Sequence, residues 1–237
     1  MLGRWYLLRR PRRAGRAVAT LLAVPSPLIP VKALAEAKGR LAPWLNPIER
    51  RLLVIAMLED VVAALQAVAG LERPAVISPD REIWHRAEAM GCRVVEEEPG
   101  PGADLNRSLT RAAAGLEARE GLLVVAADLP LASAAAIQRV VEAAAGAAVV
   151  VVPSRDGSGT NALAWRDRAS FAPAFGPDSA ARHLALPGAT RLDEEELALD
   201  VDTLEDLRAA AARVDPGSVT GRRLRDLRLP ERLQHAS

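Results

Sequence analysis

The sequence predicts an α/β fold with a mainly parallel sheet, and three observations support this prediction. Short apolar segments alternate along the chain with segments of helical periodicity. The apolar segments have no polar face, which is typical of strands that are covered on both sides of a parallel sheet. Residues that favour helix starts, such as Asn46, Asp80 and Ser133, stand between them. Half of the residues are apolar but only 3% are aromatic, so the core must consist mainly of Ala, Val and Leu.

The predicted elements follow in a regular order from residue 28. A strand over 28–31 comes first, and Asn46-Pro47-Ile48-Glu49 then opens a helix, because Asn46 suits the cap and Pro47 the first turn. Further strands are predicted at 74–78, 92–95, 122–126 and 148–152. The helices between them begin at Asp80, near Ser108 and at Ser133, and Gly91 ends the first of the three.

The two ends of the chain differ from the middle in composition. Residues 1–27 are arginine-rich and are expected to be a disordered basic extension. Their short apolar stretch superficially resembles a secretory or twin-arginine signal, but it lacks a convincing cleavage site, and a translation start placed too far upstream is an alternative. Residues 213–237 are polar and are broken by Pro and Gly, so we expect a loosely attached tail. One α/β domain is therefore expected over 28–212.

Composition excludes several classes of function. The net charge of +1 gives no general attraction to nucleic acid. The single cysteine, Cys92, excludes internal disulfides and fits a reducing cytoplasm. The three histidines are too scattered to resemble a zinc site, and no apolar run approaches the roughly 18 residues of a membrane-spanning helix. We therefore expect a cytoplasmic protein without nucleic-acid or membrane partners.

Lysine is rare in this chain, which makes its position informative. Only Lys32 and Lys38 occur, both in the segment IPVKALAEAKGRL, whereas the other 29 of the 31 basic residues are arginine. The lysine ammonium is a compact point charge, which suits a crowded polyphosphate better than the planar guanidinium does. The alternative is that two lysines remain by chance on a surface helix.

Carboxylates follow the predicted strands at the edge where ligands of parallel sheets bind. Asp128 comes directly after the strand 122–126 and can hold Mg²⁺. A helix cap is the alternative role, but Ser133 already serves as that cap. In LALDVDTLEDL, Asp200 and Asp202 face the same side if the segment is a strand, and adjacent carboxylates repel unless a cation joins them. We expect at least one of them to bind metal, and the sequence does not choose between them.

Two loops form a predicted anion pocket. The glycines of DGSGTN allow backbone amides to approach an anion. Fourteen residues beyond Asn161, the segment FGPDS opens a helix for which Ser179 is a plausible cap, and Arg182 adds charge. The alternative is an ordinary loop beside an ordinary capped helix.

Seven segments in a fixed order carry a family resemblance. They are IPVKALAEAKGRLAP, Ser78-Pro79-Asp80, Leu105-Asn106, AADLP, DGSGTNAL, FGPDSAARHL and LDVDTLEDL. Over roughly residues 28 to 208 the chain resembles the guanylyltransferases of deazaflavin coenzyme F-420 biosynthesis. Members of that family join GTP to 2-phospho-L-lactate, phosphoenolpyruvate or 3-phospho-D-glycerate. The chain departs from the family in its long N-terminal extension and in Gly39, where a small hydroxyl residue is expected.

The resemblance implies a fold and a set of roles. The fold is a Rossmann-like, three-layer nucleotide-diphospho-sugar transferase fold of the GT-A type, which makes 28–212 a nucleotidyltransferase domain. Mg²⁺ is implied at Asp128 and the Asp200/Asp202 region. The acceptor's phosphate and carboxylate are implied near Thr160, Asn161, Gly176 and Ser179, and the nucleotide near Ser78, Asp80 and Asn106. Lys32, Lys38 and Arg40 are the expected catalytic cations.

The chemistry is consistent with these roles, although other functions remain open. An acceptor phosphate is already anionic, so the reaction needs positioning and charge neutralisation and no general base. The composition suggests a GC-rich bacterial genome, for which the family resemblance implies phosphoenolpyruvate as the acceptor. Alternatives are a molybdenum-cofactor or sugar-phosphate nucleotidyltransferase, whose glycine-rich first loop is absent here, and a non-catalytic nucleotide-binding regulatory module. A homodimer and a hand-off to the next transferase are also left open.

Overall fold

The structure is a computed structural model that describes residues 25–97, 104–116 and 121–234. Its strands are β1 (Ser26–Pro30), β2 (Ala75–Ser78), β3 (Arg93–Glu96), β4 (Leu122–Val125), β5 (Val149–Pro153), β6 (Thr160–Trp165) and β7 (Ala189–Arg191). Within the described residues they form one sheet in the order β3-β2-β1-β4-β6-β5-β7. All neighbouring pairs are parallel except those of β6, which runs antiparallel to β4 and β5. The predicted α/β fold with a mainly parallel sheet is therefore confirmed.

Helices cover both faces of this sheet. They are α1 (Pro47–Gln66), α2 (Arg81–Ala89), α3 (Leu105–Gly115), α4 (Ala134–Ala144), α5 (Ser179–Leu184), α6 (Glu195–Ala198), α7 (Leu204–Arg213), α8 (Val219–Asp226) and α9 (Leu229–Gln234). Short 3₁₀ turns occur at Gly39–Leu41 and Arg168–Ser170. None of the described helices is long and apolar enough to cross a membrane.

Successive strand residues enter two separate cores, as the two-residue period of a strand requires. Ile29, Val76, Leu123 and Val150 pack with α1, α2, α4 and α7 to α9. Leu28, Ile77, Val124 and Val151 pack with α3 and with Trp165, Phe171 and Leu184 on the opposite face. The three-layer arrangement follows from these two cores. Cys92 lies in the first core with 1% of its surface exposed, and burial raises the pKa of its thiol to about 11.

The helix starts follow the predicted capping residues. Asn46 accepts the N–H of Glu49 at 3.0 Å, and the Glu49 carboxylate accepts the N–H of Asn46 at 2.9 Å, which completes a capping box. Asp80 and Ser133 cap α2 and α4 as predicted. Thr203 and Asp206 form a second capping box at the start of α7.

The sequence analysis missed β6 because it treated DGSGTN as a loop. In the structure the loop ends at Gly159, and the following TNALAW segment is a fully buried strand. Its antiparallel direction has a functional consequence. The first residues of β6, Thr160 and Asn161, lie at the same sheet edge as the last residues of β4 and β5.

The C-terminal segment differs from the predicted loose tail. Residues 219–234 form α8 and α9, and Leu224 and Leu229 are buried against the α1 side of the sheet. Ser218 caps α8, and the Asp60 carboxylate in α1 adds to this cap by accepting the N–H groups of Val219 and Thr220 at 2.9 and 2.8 Å. Leucines spaced among many arginines give this segment a buried side that its polar composition concealed.

The N-terminal boundary also differs from the prediction. Strand β1 starts at Ser26, whose side chain is 3% exposed, so the domain begins before residue 28. The rest of the predicted extension, residues 1–24, and the last residues, 235–237, lie outside the described residues.

Candidate active site

Three carboxylates meet at the edge of the sheet where β4 ends. Asp128 follows β4, whereas Asp200 and Asp202 lie between α6 and α7. One oxygen of each of the three lies within 4.8 Å of the others. The N–H of Val201 donates to the carbonyl of Asp128 at 3.2 Å and holds the two segments together.

The backbone around Asp200 and Asp202 is not a strand of the sheet, contrary to the prediction. The predicted alternation nevertheless holds, because Leu199 and Val201 are buried while both aspartates are partly exposed. Both carboxylates therefore reach the same cluster as Asp128. The sequence pattern gave the right geometry although the backbone hydrogen bonding differs.

Lys38 joins two members of this cluster. Its Nζ donates to Asp128 and, at 2.9 Å, to Oδ1 of Asp202. The side chain is 7% exposed, and the backbone is left-handed with φ of 56°. A non-glycine residue in this conformation costs about 1 kcal/mol or more, and such strain concentrates at functional sites. Burial alone would lower the pKa of the Lys38 ammonium, but Asp128 and Asp202 outweigh burial and raise it.

The two aspartates of the 200–202 segment differ in their charge environment. Burial and the negative charge of Asp128 raise the pKa of the Asp200 carboxyl. Burial acts in the same direction on Asp202, but Lys38, Lys32 and Arg40 outweigh it and lower the pKa of that carboxyl. Lys38 contacts Asp202, and Lys32 and Arg40 lie near enough to add to the lowering of its pKa.

The carboxylate cluster fits a divalent cation. It offers oxygen ligands only, as Mg²⁺ prefers. Burial and the nearby Asp128 carboxylate both raise the pKa of Asp200, and a bound cation would favour its charged form.

Asn161 is the residue that fixes Asp200. Its Nδ2 donates to Oδ1 of Asp200 at 3.1 Å and to the carbonyls of Leu197 and Ala198 at 3.0 and 2.9 Å. With 5% of its surface exposed, its amide nitrogen is committed to the chain itself. The start of β6 thus holds the Asp200 carboxylate in place.

The two predicted anion loops meet around a buried histidine. Thr160 Oγ1 and His183 Nδ1 are 2.9 Å apart, and His183 Nε2 accepts the N–H of Ala174 at 2.9 Å. Because Nε2 accepts, a neutral ring carries its hydrogen on Nδ1 and donates to Thr160. Burial, with a smaller effect of Arg182, lowers the pKa of His183 to about 4. The sequence analysis gave His183 no role, since its partners are distant in sequence.

Ser179 and Gly176 lie in the second of these loops. Ser179 is 2% exposed and is the first residue of α5, so it is not the cap that was predicted. The cap position belongs to Asp178, which has a left-handed backbone and no side-chain bond to the helix. The N–H of Ala180 donates to the carbonyl of Ser158 at 3.1 Å, which joins the two loops.

The side chains of the predicted nucleotide-binding residues form hydrogen bonds within the protein and hold neighbouring loops. Asp80 accepts the N–H of Leu34 at 3.0 Å and thereby holds the loop that carries both lysines. Asn106 binds the N–H and carbonyl of Phe175 at 2.7 and 3.1 Å. Ser78 is fully buried and accepts the N–H of Asp80. A cleft of about 190 Å³ beside β2, β3 and α3 contains none of these three residues.

Two solved structures share the fold of this chain. A candidate nucleotide-diphospho-sugar transferase from Desulfovibrio desulfuricans G20 superposes with a TM-score of 0.68 at 16% identity, over 89% of this chain and 96% of its own. A nucleotidyl transferase from Methanothermobacter thermautotroptrophicus superposes with a TM-score of 0.60 at 17% identity, over 90% and 99% of the two chains. The fold is therefore that of nucleotidyl and nucleotide-diphospho-sugar transferases.

Sequence comparisons then give the family. The family model described as "Guanylyl transferase CofC like" matches residues 26–233. A phosphoenolpyruvate guanylyltransferase from Nocardia farcinica is 42% identical over 84% of this chain and 90% of its own length. Another, from Sphaerobacter thermophilus, is 36% identical over 81% and 94% of the two chains. The chain belongs to the guanylyl transferase CofC-like family and is a nucleotidyltransferase.

Proposed function

We propose that this protein transfers GMP from GTP to the phosphate of phosphoenolpyruvate, as a step of coenzyme F-420 biosynthesis. The observation that carries the proposal is the convergence of three carboxylates with Lys38 at one edge of the sheet. The names of the relatives from Nocardia and Sphaerobacter support the choice of both substrates.

The proposed reaction needs no side chain to remove a proton. An oxygen of the acceptor's phosphate forms a bond to the α-phosphorus of GTP. The bond from that phosphorus to the oxygen bridging to the β-phosphate breaks, and diphosphate leaves with the electron pair. The acceptor phosphate is anionic near neutral pH, so catalysis rests on alignment and on neutralising charge.

The chain's own residues divide between these two tasks. Asp128, Asp200 and Asp202 would hold Mg²⁺, which supplies positive charge to the phosphate oxygens. Lys38, Lys32 and Arg40 add positive charge around Asp202, where we place the triphosphate. The Lys38 ammonium is compact enough to exchange a carboxylate oxygen for a phosphate oxygen without a large movement.

The acceptor would lie against the two loops that Ala180 and Ser158 join. Thr160, Asn161, Gly176 and Ser179 are the proposed acceptor residues. A carboxylate beside a phosphate is common to phosphoenolpyruvate, 2-phospho-L-lactate and 3-phospho-D-glycerate, so these loops alone do not select among the three. The relatives' names favour phosphoenolpyruvate.

The rival functions lack such support. A molybdenum-cofactor or sugar-phosphate transferase is disfavoured by the family match over residues 26–233. A non-catalytic module would have no use for a strained Lys38 between two carboxylates.

The test is diphosphate release from GTP with each acceptor in turn, with GTP alone as the blank. We expect the highest kcat/KM with phosphoenolpyruvate and a product whose mass equals GMP plus phosphoenolpyruvate minus water. Asp128→Asn keeps the size of the side chain and should lose most turnover. Faster turnover with phospholactate or phosphoglycerate would replace the acceptor, and absence of turnover with all three would reject the proposal.

A further inference from the structure

Asp206 holds the backbone on which the metal-binding carboxylate Asp202 stands. Its Oδ2 accepts the N–H of Asp202 at 3.3 Å, the N–H of Thr203 at 2.9 Å and the hydroxyl of Thr203 at 2.8 Å. A capping box requires only the contacts with Thr203. The contact with Asp202 extends the box by one residue, into the carboxylate cluster.

Arg155 holds Asp206 from the other side. Its Nη2 donates to Oδ1 of Asp206 at 2.7 Å, and its backbone N–H donates to the carbonyl of Ala198 at 2.8 Å. Arg155 belongs to the loop between β5 and β6, which leads directly into Thr160 and Asn161 at the start of β6. The segment 197–206 is thus held at its other end by Asn161. Its side chain donates to the carbonyls of Leu197 and Ala198 and to the carboxylate of Asp200.

We infer that Asp206 and Arg155 are positioning residues for the metal site. They fix the backbone of Asp202, and they couple the proposed acceptor loop to the carboxylates of the proposed nucleotide site. Neither residue contacts substrate in this arrangement. Their effect passes through the Asp202 main chain and the loop that carries Arg155.

The physical basis is the cost of ordering ligands. A cation binds tightly when its carboxylates are already placed, and groups that orient ligands affect metal affinity by about 10- to 100-fold. Asp202 has half of its side chain exposed, so packing alone does not fix it. The inference rests on the proposed metal site, and the experiment therefore tests that site separately.

The chain contains a matched arrangement far from the site. Glu49 closes the capping box of α1 and also accepts a hydrogen bond from Arg232 Nη1 at 2.6 Å. In the same way, Asp206 closes the capping box of α7 and accepts a hydrogen bond from Arg155. Both acids are mostly buried, with 14% and 15% of their side chains exposed. The Glu49 box lies at the start of α1 and supports no residue of the carboxylate cluster. Glu49→Gln and Arg232→Met therefore control for the loss of a box and its arginine.

The variants are chosen to separate positioning from helix stability. In Asp206→Asn the remaining oxygen can still accept the N–H of Thr203, but the amide then points donors toward the Arg155 guanidinium. Arg155→Met removes the ion pair with Asp206 by a change at an exposed side chain, and Arg155→Lys restores a charged donor. The readout is Mn²⁺ binding by electron paramagnetic resonance without nucleotide, followed by the Mg²⁺ concentration that gives half-maximal turnover.

We expect Asp206→Asn to weaken Mn²⁺ binding by about tenfold. Arg155→Met should weaken it less, and Arg155→Lys should recover most of the loss. Glu49→Gln and Arg232→Met should lower the melting temperature while leaving Mn²⁺ affinity at the wild-type value. Wild-type Mn²⁺ affinity in both Asp206→Asn and Arg155→Met would overturn the inference, as would equal weakening in the two control variants. Wild-type affinity in Asp128→Asn would instead remove the metal site itself.

Discussion

The Lys38 ammonium lies buried between two carboxylates. Its side chain is 7% exposed, and its ammonium already contacts Asp128 and Asp202. Lys38→Arg keeps the charge but replaces a point donor with a planar fork, so we expect kcat/KM for GTP to fall by at least about tenfold, or about 1.4 kcal/mol of barrier. Steady-state kinetics across a Mg²⁺ titration measure this fall in kcat/KM.

Lys32→Arg is the comparison, because Lys32 is exposed and has room for the larger group. It should lose clearly less activity than Lys38→Arg, with circular dichroism showing that both variants fold. Equal losses in the two variants would mean that the buried position of Lys38 has no special importance.

His183 should make stability depend on pH. Its folded pKa of about 4 lies below the ordinary 6.5, so the fold favours the neutral ring. The contribution is fully present above pH 6.5 and is lost as the pH falls from 6.5 toward 4, by up to about 3 kcal/mol. Urea unfolding across this range measures it.

His183→Leu isolates the effect. At pH 7.5 this variant should be less stable than the wild type, because the Thr160 hydroxyl and the Ala174 N–H lose their partner. Its stability should also fall less between pH 6.5 and 4. His85→Gln, at a histidine whose side chain is 82% exposed, should follow the wild-type curve. Parallel curves for the wild type and His183→Leu would contradict the assignment.

At the scale of single elements, α8 depends on a close backbone contact at Gly221. A Cβ there would lie 2.2 Å from the carbonyl oxygen of Asp215 and 3.0 Å from Pro216 Cα, and both are backbone atoms that cannot rotate away. Gly221→Ala should therefore destabilise the protein by about 1–3 kcal/mol, although alanine favours helices. Thermal unfolding measures the change.

Gly115→Ala is the matched control, because a Cβ there meets nothing within 4 Å. It should leave the melting temperature unchanged or raise it slightly. The free energy of unfolding should rise by at most about 1 kcal/mol. A melting temperature for Gly221→Ala as high as that of Gly115→Ala would show that α8 can shift at little cost.

The elements that the sequence predicts well are those with local signals. The capping boxes at Asn46 and Thr203 are readable because both partners lie three residues apart. Strand β6 was missed because DGSGT hides its start, and α8 because arginines surround Leu224. Asp60, which adds to the cap of α8, lies 159 residues from its partner Val219, so no local pattern connects them.

At the scale of the whole molecule, the sequence predicts the cluster better than its supports. Asp128, Asp200, Asp202 and Lys38 were expected at one edge, and the structure brings them together. The residues that fix them are found only after folding, since Arg155 and Asp206 are 51 residues apart and Asn161 and Asp200 are 39 apart. A polar residue whose protein partner is distant in sequence leaves no spacing signature.

Residues 25–27 should matter for the stability of the whole domain. Ser26 donates from its N–H to Gly121 at 3.0 Å and from Oγ to Glu72 at 2.7 Å, and Pro27 pairs with Leu123 of β4. A chain that starts at Leu28 should therefore unfold at a lower temperature than one that starts at Pro25. Each lost buried hydrogen bond costs about 1 kcal/mol. Equal melting temperatures would return the boundary to residue 28.

The reactivity of Cys92 can report how often the first core opens. A thiol that is 1% exposed, with a pKa of about 11, reacts with a disulfide reagent only after the first core parts around it. When reclosing outpaces the reaction, the labelling rate divided by the rate for a free thiol is the fraction of time that this region spends open. The change in that fraction when GTP or a divalent cation is added gives the free energy with which a ligand at the sheet edge stabilises the first core around Cys92.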